Sequence, residues 1–163
     1  MSRLREGSLL FWLSLLAGVI LTVVALPEGW RPLRPFWLGL MVIWWSLEAP
    51  DRMGLGAAFL LGLTQDILIG TMLGEHAFRL VAIAFLMLRF RSRLRFFPMW
   101  QQALAVLAIL INDRIVTWAL RSIAGDTAIN WQFWLAPFVG ALLWPWMFLL
   151  LDDLRRRSRP RDP

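Results

Sequence analysis

Residues 53–74 read MGLGAAFLLGLTQDILIGTMLG, and this stretch decides the fold class. It is an apolar run of nearly the length that crosses a bilayer, yet it contains one carboxylate, Asp66. Small residues lie at intervals of four on either side of that carboxylate: Ala58, Gly62, Gly70 and Gly74. Small residues on one helix face let a second helix approach closely, as in membrane bundles. The run therefore predicts a membrane helix with a groove for internal packing or for a partner, although Gly70 and Gly74 could instead end the helix.

The rest of the chain is equally apolar. Hydrophobic residues make up 59% of its 163 residues and the mean hydropathy is +0.61, whereas soluble domains are about 45–50% apolar. Six apolar runs are expected to cross the membrane as helices, at residues 8–26, 36–49, 53–70, 77–88, 101–120 and 131–151. The sequence thus predicts an all-α membrane protein, a single integral domain built as a bundle of six transmembrane helices, with a basic tail at 152–163.

The distribution of arginine predicts how these helices are oriented. All 17 basic residues are Arg. If the amino terminus is cytoplasmic, the inner segments contain 12 of them and the outer loops contain three, at positions 31, 34 and 121. Because cytoplasmic loops carry an excess of basic residues, both termini are expected in the cytoplasm. The basic clusters at 89–95 and 155–161 should also attract anionic lipids at the cytoplasmic face.

Four charged residues are expected at a similar depth in the bundle. At a rise of about 1.5 Å per residue, Asp66 and Asp113 lie roughly 20 and 18 Å from the cytoplasmic edge. Arg79 enters a few ångströms above them, and Arg114 adjoins Asp113. Charges within a membrane are costly unless they are paired. The four residues therefore predict a buried ion network that fixes helix packing; the alternatives are an outward-opening polar pocket for a ligand or partner helix, and a proton relay.

The sequence shows no motif for catalysis. The absence of cysteine excludes disulfides, thiolate metal sites and cysteine nucleophiles. The only histidine, His76, is expected to lie on a short loop that runs from Gly70 to His76 and to be solvated, and no second histidine exists to build a metal site with it. No recognisable arrangement of nucleophile and base is present. The chain is thus predicted not to be an enzyme, to need no cofactor and to have no nucleic-acid partner.

The order and spacing of five motifs resemble the rod shape-determining protein MreD family. The motifs are Arg34-Pro35-Phe36-Trp37, Ala49-Pro50-Asp51-Arg52, Gly62-xxx-Asp66-xxx-Gly70-xxx-Gly74, Trp100-Gln101-Gln102-Ala103-Leu104 and Gly140-xxx-Trp144-Pro145-Trp146. The resemblance covers nearly the whole chain and implies a multi-pass protein of the bacterial inner membrane. It also implies a helix arrangement similar to that of the substrate-binding (S-type) subunits of energy-coupling-factor transporters. Asp66 and Asp113 match positions where the family tends to carry Asp, whereas Arg114 replaces the apolar residue that usually follows.

The resemblance further implies a non-enzymatic scaffold of the cell-elongation machinery. Members of the family associate with the bitopic protein MreC, and through it with the actin-like MreB. The wider assembly contains the glycosyltransferase RodA and its partner penicillin-binding transpeptidase, which insert peptidoglycan. The chain is therefore expected to bind MreC through transmembrane helices and to help position or regulate these synthases. The alternative function is that of a transporter-like membrane subunit that binds a small polar ligand in the outward-facing pocket.

Overall fold

The computed structural model of the protein describes residues 2–24, 27–125 and 130–157. These residues form six α-helices and two short 3₁₀ helices. The α-helices are α1 (Ser2–Val23), α2 (Trp37–Glu48), α3 (Leu55–Ile69), α4 (Glu75–Leu94), α5 (Met99–Ile123) and α6 (Ala136–Arg157). The 3₁₀ helices, Glu28–Leu33 and Trp131–Trp134, precede α2 and α6. The prediction of an all-α fold is confirmed.

Two of the helical segments are long and apolar enough to cross a membrane. They are Met99–Ile123 and Trp131–Arg157, and two shorter apolar helices cover Ser8–Val23 and Leu55–Ile69. By length and composition, these segments are compatible with the predicted membrane protein. The crossing of the bilayer by all six helices, the side on which the termini lie and the similarity to transporter S-type subunits remain predictions.

Each of the six predicted runs corresponds to one α-helix, but the helices differ from the runs at their ends, and residues 25–26 of the first run lie outside the described residues. Helix α4, for example, spans Glu75–Leu94 rather than 77–88. Its last turn contains Arg91 and Arg93, and basic residues there interact favourably with the negative end of the helix dipole. Helix α6 continues to Arg157, so the first half of the predicted tail is helical, and residues 158–163 lie outside the described residues. Hydropathy indicates which residues avoid water, whereas a helix ends where its hydrogen bonds end.

Consecutive helices alternate in direction, so the bundle has two ends. At the arginine-rich end, Arg155 Nη1 lies 2.7 Å from a carboxylate oxygen of Glu48, and Arg91 Nε donates to the carbonyl oxygen of Leu47 at 2.8 Å. The opposite end, called the Asp66 end, contains the turn between α3 and α4. Contacts between elements distant in sequence therefore close the bundle at its arginine-rich end.

Helix α2 lies at the centre of the bundle. Every residue from 38 to 47 is buried, and the helix packs against α1, α4 and α6. A helix that is apolar all round is expected in such a position. The buried Trp45 donates its indole N–H to the hydroxyl of Ser14 on α1 at 2.8 Å, which satisfies a polar group in an apolar setting. Helices α1, α4 and α6 are thus positioned by α2.

Candidate functional site

The small-residue face of α3 is occupied by α4. A Cβ atom added to Gly62 would lie 2.3 Å from the Cα atom of Ala77 and 2.5 Å from its backbone nitrogen, so only glycine permits this approach. Ala58, one turn earlier on the same face, is fully buried. At these two positions the groove packs the chain's own helices together.

Gly70 and Gly74 lie in the turn between α3 and α4 rather than in this groove. Gly70 follows the last residue of α3 with φ 72°, and Gly74 precedes α4 with φ 99°. An added Cβ atom would meet no atom of the described residues within 4 Å at either position, so close helix contact does not require glycine there. The left-handed backbone does favour it. The regular spacing continues beyond the helix, and the four-residue groove expected from the sequence is reduced to Ala58 and Gly62.

The carboxylate of Asp66 is held by the first residues of α4. Asp66 lies in the last turn of α3 and is 1% exposed. Its Oδ1 accepts hydrogen bonds from the backbone N–H of His76 (2.9 Å), from His76 Nδ1 (2.8 Å) and from the Thr71 hydroxyl (3.0 Å). Its Oδ2 accepts from the N–H groups of Gly74 (2.8 Å) and Ala77 (3.4 Å). Because the first N–H groups of a helix lack intrahelical partners and attract negative charge, Asp66 caps α4 from the preceding helix.

The expectation that His76 is solvated is wrong. The residue is 7% exposed, and its ring lies against the Asp66 carboxylate. An ionised carboxylate only accepts hydrogen bonds, so Nδ1 of His76 carries the proton in this contact. The sequence offers one signal for the arrangement: His76 is the second residue of a helix that begins after a glycine. That signal does not identify Asp66 as its partner.

A second charged group links α4 to α5. Arg79 binds Asp113 through two parallel hydrogen bonds, with Nε 2.8 Å from Oδ1 and Nη2 2.7 Å from Oδ2. Both residues are buried. The guanidinium carbon also lies 4.4 Å from the ring centroid of Phe36, and Nη1 lies 3.8 Å from Glu75. This forked geometry is the strongest form of arginine–carboxylate pairing, and it fixes the relative position of the two helices.

Arg114 is directed away from this pair. Its guanidinium carbon lies 4.6 Å from the ring centroid of Phe133, in the 3₁₀ helix that precedes α6. Adjacent residues on a helix do not face the same neighbour, so the residue next to Asp113 contacts a different element. Of the four charged residues expected at one depth, the structure brings Arg79 and Asp113 into direct contact, and it places Asp66 and Arg114 in separate contacts.

A cleft of about 650 Å³ lies beside the turn between α3 and α4 and the end of α5. Its lining is mainly apolar and includes Met72, Leu73, Phe78 and Leu120, together with the polar residues Thr71, Glu75 and Arg121. Arg121 Nη2 lies 3.4 Å from Oε1 of Glu75, so one ion pair belongs to the wall. The cleft is therefore a concave, mainly apolar surface with one ion pair in its wall.

The chemistry shown at the Asp66 end is electrostatic. Two buried carboxylates are stabilised, Asp66 mainly by N–H groups and Asp113 by a guanidinium. Within residues 2–24, 27–125 and 130–157, no group of three His, Cys, Asp or Glu side chains could hold a metal ion. The arrangement fastens α3 to α4 and α4 to α5.

Comparison with known proteins identifies the family. The sequence model described as rod shape-determining protein MreD matches residues 3–154. The rod shape-determining protein MreD of Haemophilus influenzae is 32% identical over 155 residues, covering 93% of this chain and 96% of that protein. No solved structure matches the chain. The resemblance carried by the sequence motifs is therefore confirmed, and the chain belongs to the MreD family of rod shape-determining proteins.

Proposed function

We propose that this protein is a non-enzymatic scaffold of the bacterial inner membrane that binds MreC and helps position or regulate the peptidoglycan synthases of cell elongation. Family membership over nearly the whole chain is the observation that carries the proposal. The family is defined by rod shape determination, which supports a role in cell shape. Binding of MreC, and through it association with MreB, RodA and the penicillin-binding transpeptidase, is the further step proposed here.

The buried charges support a structural role. The Asp66 carboxylate receives five hydrogen bonds from the α3–α4 turn and the start of α4, and Asp113 is paired through both oxygens with Arg79. A general base or nucleophile needs a free lone pair directed at a substrate. Both carboxylates are instead directed at neighbouring helices, as suits a protein that must keep one shape while it holds partners.

The cleft is the surface that we assign to the transmembrane helix of MreC. The groove at Gly62 is filled by α4 and offers no room for a partner. Leu73 and Phe78, both exposed, line the cleft. In lipid, helices associate through close van der Waals contact rather than through a hydrophobic gain. A concave surface provides more of that contact than the exposed stripe of a single helix, such as Trp12 and Leu16 on α1.

Co-purification tests this proposal. Tagged protein and MreC are expressed together, and the tagged protein is purified in a mild detergent. We expect MreC to be retained by the wild type, to be reduced severalfold by Leu73→Ala/Phe78→Ala, and to be retained by the matched control Trp12→Ala/Leu16→Ala. Failure of the wild type to retain MreC would overturn the proposed function. Normal retention by the cleft variant, with loss in the α1 variant, would overturn only the placement.

The cleft also supports the second candidate, a transporter-like subunit that binds a small polar ligand. The Glu75–Arg121 pair in its wall could recognise a polar group within an otherwise apolar site. Mass spectrometry of small molecules released from the purified, denatured protein tests this candidate. A compound retained by the wild type and lost in Arg121→Gln supports ligand binding. The scaffold proposal predicts no such compound and full retention of MreC.

The proposed topology has six spans and cytoplasmic termini, and the arginine distribution supports it. A cytoplasmic reporter fused after Pro163 should therefore be active, and a periplasmic reporter at the same position should be inactive. Efficient activity of a periplasmic reporter at that position would contradict the topology.

A further inference from the structure

The structure distinguishes the two basic clusters of the sequence by how their charges are balanced. Each arginine of the helical part of the second cluster contacts an acid: Arg155 contacts Glu48 at 2.7 Å, Arg156 contacts Asp152 at 2.8 Å and Arg157 contacts Asp153 at 2.8 Å. Much of the positive charge at the end of α6 is therefore neutralised by the protein itself.

The first cluster lacks this neutralisation. Arg89, Arg93 and Arg95 are exposed, and among the described residues none of their side chains has an ion pair or hydrogen bond. The segment from 89 to 100, RFRSRLRFFPMW, contains no acidic residue. Arg89 and Arg93 are four residues apart on α4 and share a helix face. Two guanidinium groups are thus presented side by side, and the described part of the chain provides neither with a hydrogen-bond partner.

The turn that carries this cluster is fixed from within the bundle. The side-chain amide of Gln102 donates to the carbonyl oxygens of Leu94 (3.1 Å) and Phe97 (3.3 Å), which closes the connection between α4 and α5. Arg91, in the same basic segment, instead donates to the carbonyl oxygen of Leu47 and anchors α4 to α2. The exposed arginines therefore project from the end of α4 (Arg89 and Arg93) and from the connection that follows it (Arg95), whose backbone is held in place.

Aromatic side chains extend from the same turn. Phe96 is 88% exposed and Trp100 is 63% exposed. Trp100 is the second residue of α5, one of the two segments long and apolar enough to cross a membrane. At the boundary between headgroups and acyl chains, an aromatic ring enters the apolar layer while neighbouring basic groups remain at the phosphates. The exposed rings of Phe96 and Trp100 are unfavourable in water, but they become favourable at the boundary between headgroups and acyl chains.

We propose that the end of α4, its turn to α5 and the first residues of α5 form a binding site for an anionic phospholipid. The guanidinium groups of Arg89, Arg93 and Arg95 bind the headgroup phosphate, and Phe96 and Trp100 enter the acyl boundary beside it. Guanidinium forks match the geometry of phosphate oxygens. This inference rests on the proposed topology, which puts the arginine-rich end at the cytoplasmic leaflet. It differs from general attraction to that leaflet because it assigns binding to one basic cluster and not to the other.

Paired variants in purified protein test the site. Binding of phosphatidylglycerol and of phosphatidylcholine is measured by native mass spectrometry of the full chain in neutral detergent. The site variant is Arg89→Gln/Arg93→Gln, and the matched control is Arg156→Gln/Arg157→Gln, which removes two charges that are also exposed but are paired with acids. We expect the wild type to prefer phosphatidylglycerol, the control to resemble it, and the site variant to bind that lipid more weakly by about fivefold per arginine removed. The proposal would be overturned if both variants lost phosphatidylglycerol binding to the same extent, or if the wild type did not prefer phosphatidylglycerol to phosphatidylcholine.

Two further measurements separate the lipid from other anions. Phe96→Ser should weaken phosphatidylglycerol binding while both arginines remain. Soluble glycerophosphoglycerol should not displace the lipid at comparable concentration. Full displacement by this soluble headgroup would contradict the proposal and show a site for free phosphate esters; preferential binding of RNA or of an acidic peptide would also contradict it. Retention of MreC by Arg89→Gln/Arg93→Gln is expected to be normal, so failure of the lipid site and failure of the proposed scaffold function are distinguishable.

Discussion

Asp66 and Asp113 are both buried carboxylates, but the bundle stabilises them in different ways. Asp66 receives five hydrogen bonds from the α3–α4 turn and the start of α4, three of them from backbone N–H groups. Asp113 depends for its charge on one guanidinium, that of Arg79. A charge spread over several dipoles tolerates the loss of any one donor, whereas a charge matched by a single cation becomes an unpaired buried ion when that cation is removed. The second arrangement is therefore the more fragile.

The substitution of Arg79 alone is expected to lower the free energy of unfolding the most. Arg79→Met leaves Asp113 ionised, buried and without its counter-charge, which costs about 3–5 kcal/mol of unfolding free energy. The measurement is thermal unfolding of the purified protein in detergent.

A double variant provides the control. Arg79→Met/Asp113→Leu removes both charges and should recover most of that stability, because an ion pair replaced by apolar side chains of similar size is often neutral or stabilising. A double variant no more stable than the single one would show that the pair contributes more than mutual neutralisation.

The next effect concerns the close approach that lets α4 reach Asp66. In Gly62→Ala the new Cβ atom meets backbone atoms of Ala77, which cannot move as a flexible side chain would. We expect a loss of about 3 kcal/mol, at the upper end of overpacking costs. Gly56→Ala in the same helix is the matched control, since nothing lies within 4 Å of its added Cβ atom. It should gain about 0.5–1 kcal/mol. Equal behaviour of the two variants in unfolding experiments would contradict the proposed contact.

A smaller effect is expected from Asp66→Asn, which keeps the shape of the side chain. The amide oxygen can still accept hydrogen bonds on one side, but the NH₂ group would face N–H donors on the other. We expect a loss of about 2 kcal/mol. The exposed Asp153→Asn should change unfolding free energy by less than about 0.5 kcal/mol. If Asp66→Asn proves as stable as the wild type, the cap formed by Asp66 does not contribute to stability.

The smallest expected change is an increase in the free energy of unfolding, from a substitution of Gln65. Gln65 precedes Asp66, is fully buried, and neither polar atom of its amide has a hydrogen-bond partner among the described residues. Gln65→Met should stabilise the protein by about 1 kcal/mol, because an unpaired buried amide costs free energy that a thioether does not. Gln102→Met provides the comparison: it loses the hydrogen bonds to two carbonyl oxygens and should destabilise. A loss of stability in Gln65→Met would show that its amide is satisfied in the folded protein.

The positions of the helices could be predicted because long apolar runs are the dominant signal in this chain. The ends of the helices could not be predicted in the same way. The arginines in the last turn of α4 are compatible with a helix but lower the local hydropathy, so the apolar run stops before the helix does. Helix α3 ends at Gly70, and the turn ends at Gly74, because both glycines adopt a left-handed backbone conformation. The sequence could not show this, since residues spaced by four can lie within one helix or extend into the turn that follows it.

The charged contacts at the Asp66 end were only partly predictable. Counting residues gave a depth for Asp66, Arg79 and Asp113, but depth contains no information about direction around the helix axis. The pairing of Arg79 with Asp113 requires knowledge that α4 packs against α5, and the contact of Arg114 with Phe133 requires the position of the 3₁₀ helix before α6. His76 was missed because its burial results from capping by a residue ten positions earlier.

We propose that Asp66, Arg79 and Asp113 hold the helices of the bundle together and take part in neither a reaction nor a proton relay. Complementation of cell shape by Arg79→Met/Asp113→Leu tests it most directly, in cells that lack the native protein and that contain the variant at wild-type level. A structural pair replaced by well-packed apolar side chains should leave the cells rod-shaped. Round cells, despite normal amounts of folded variant in the membrane, would contradict the account and show that these charges act in the function itself.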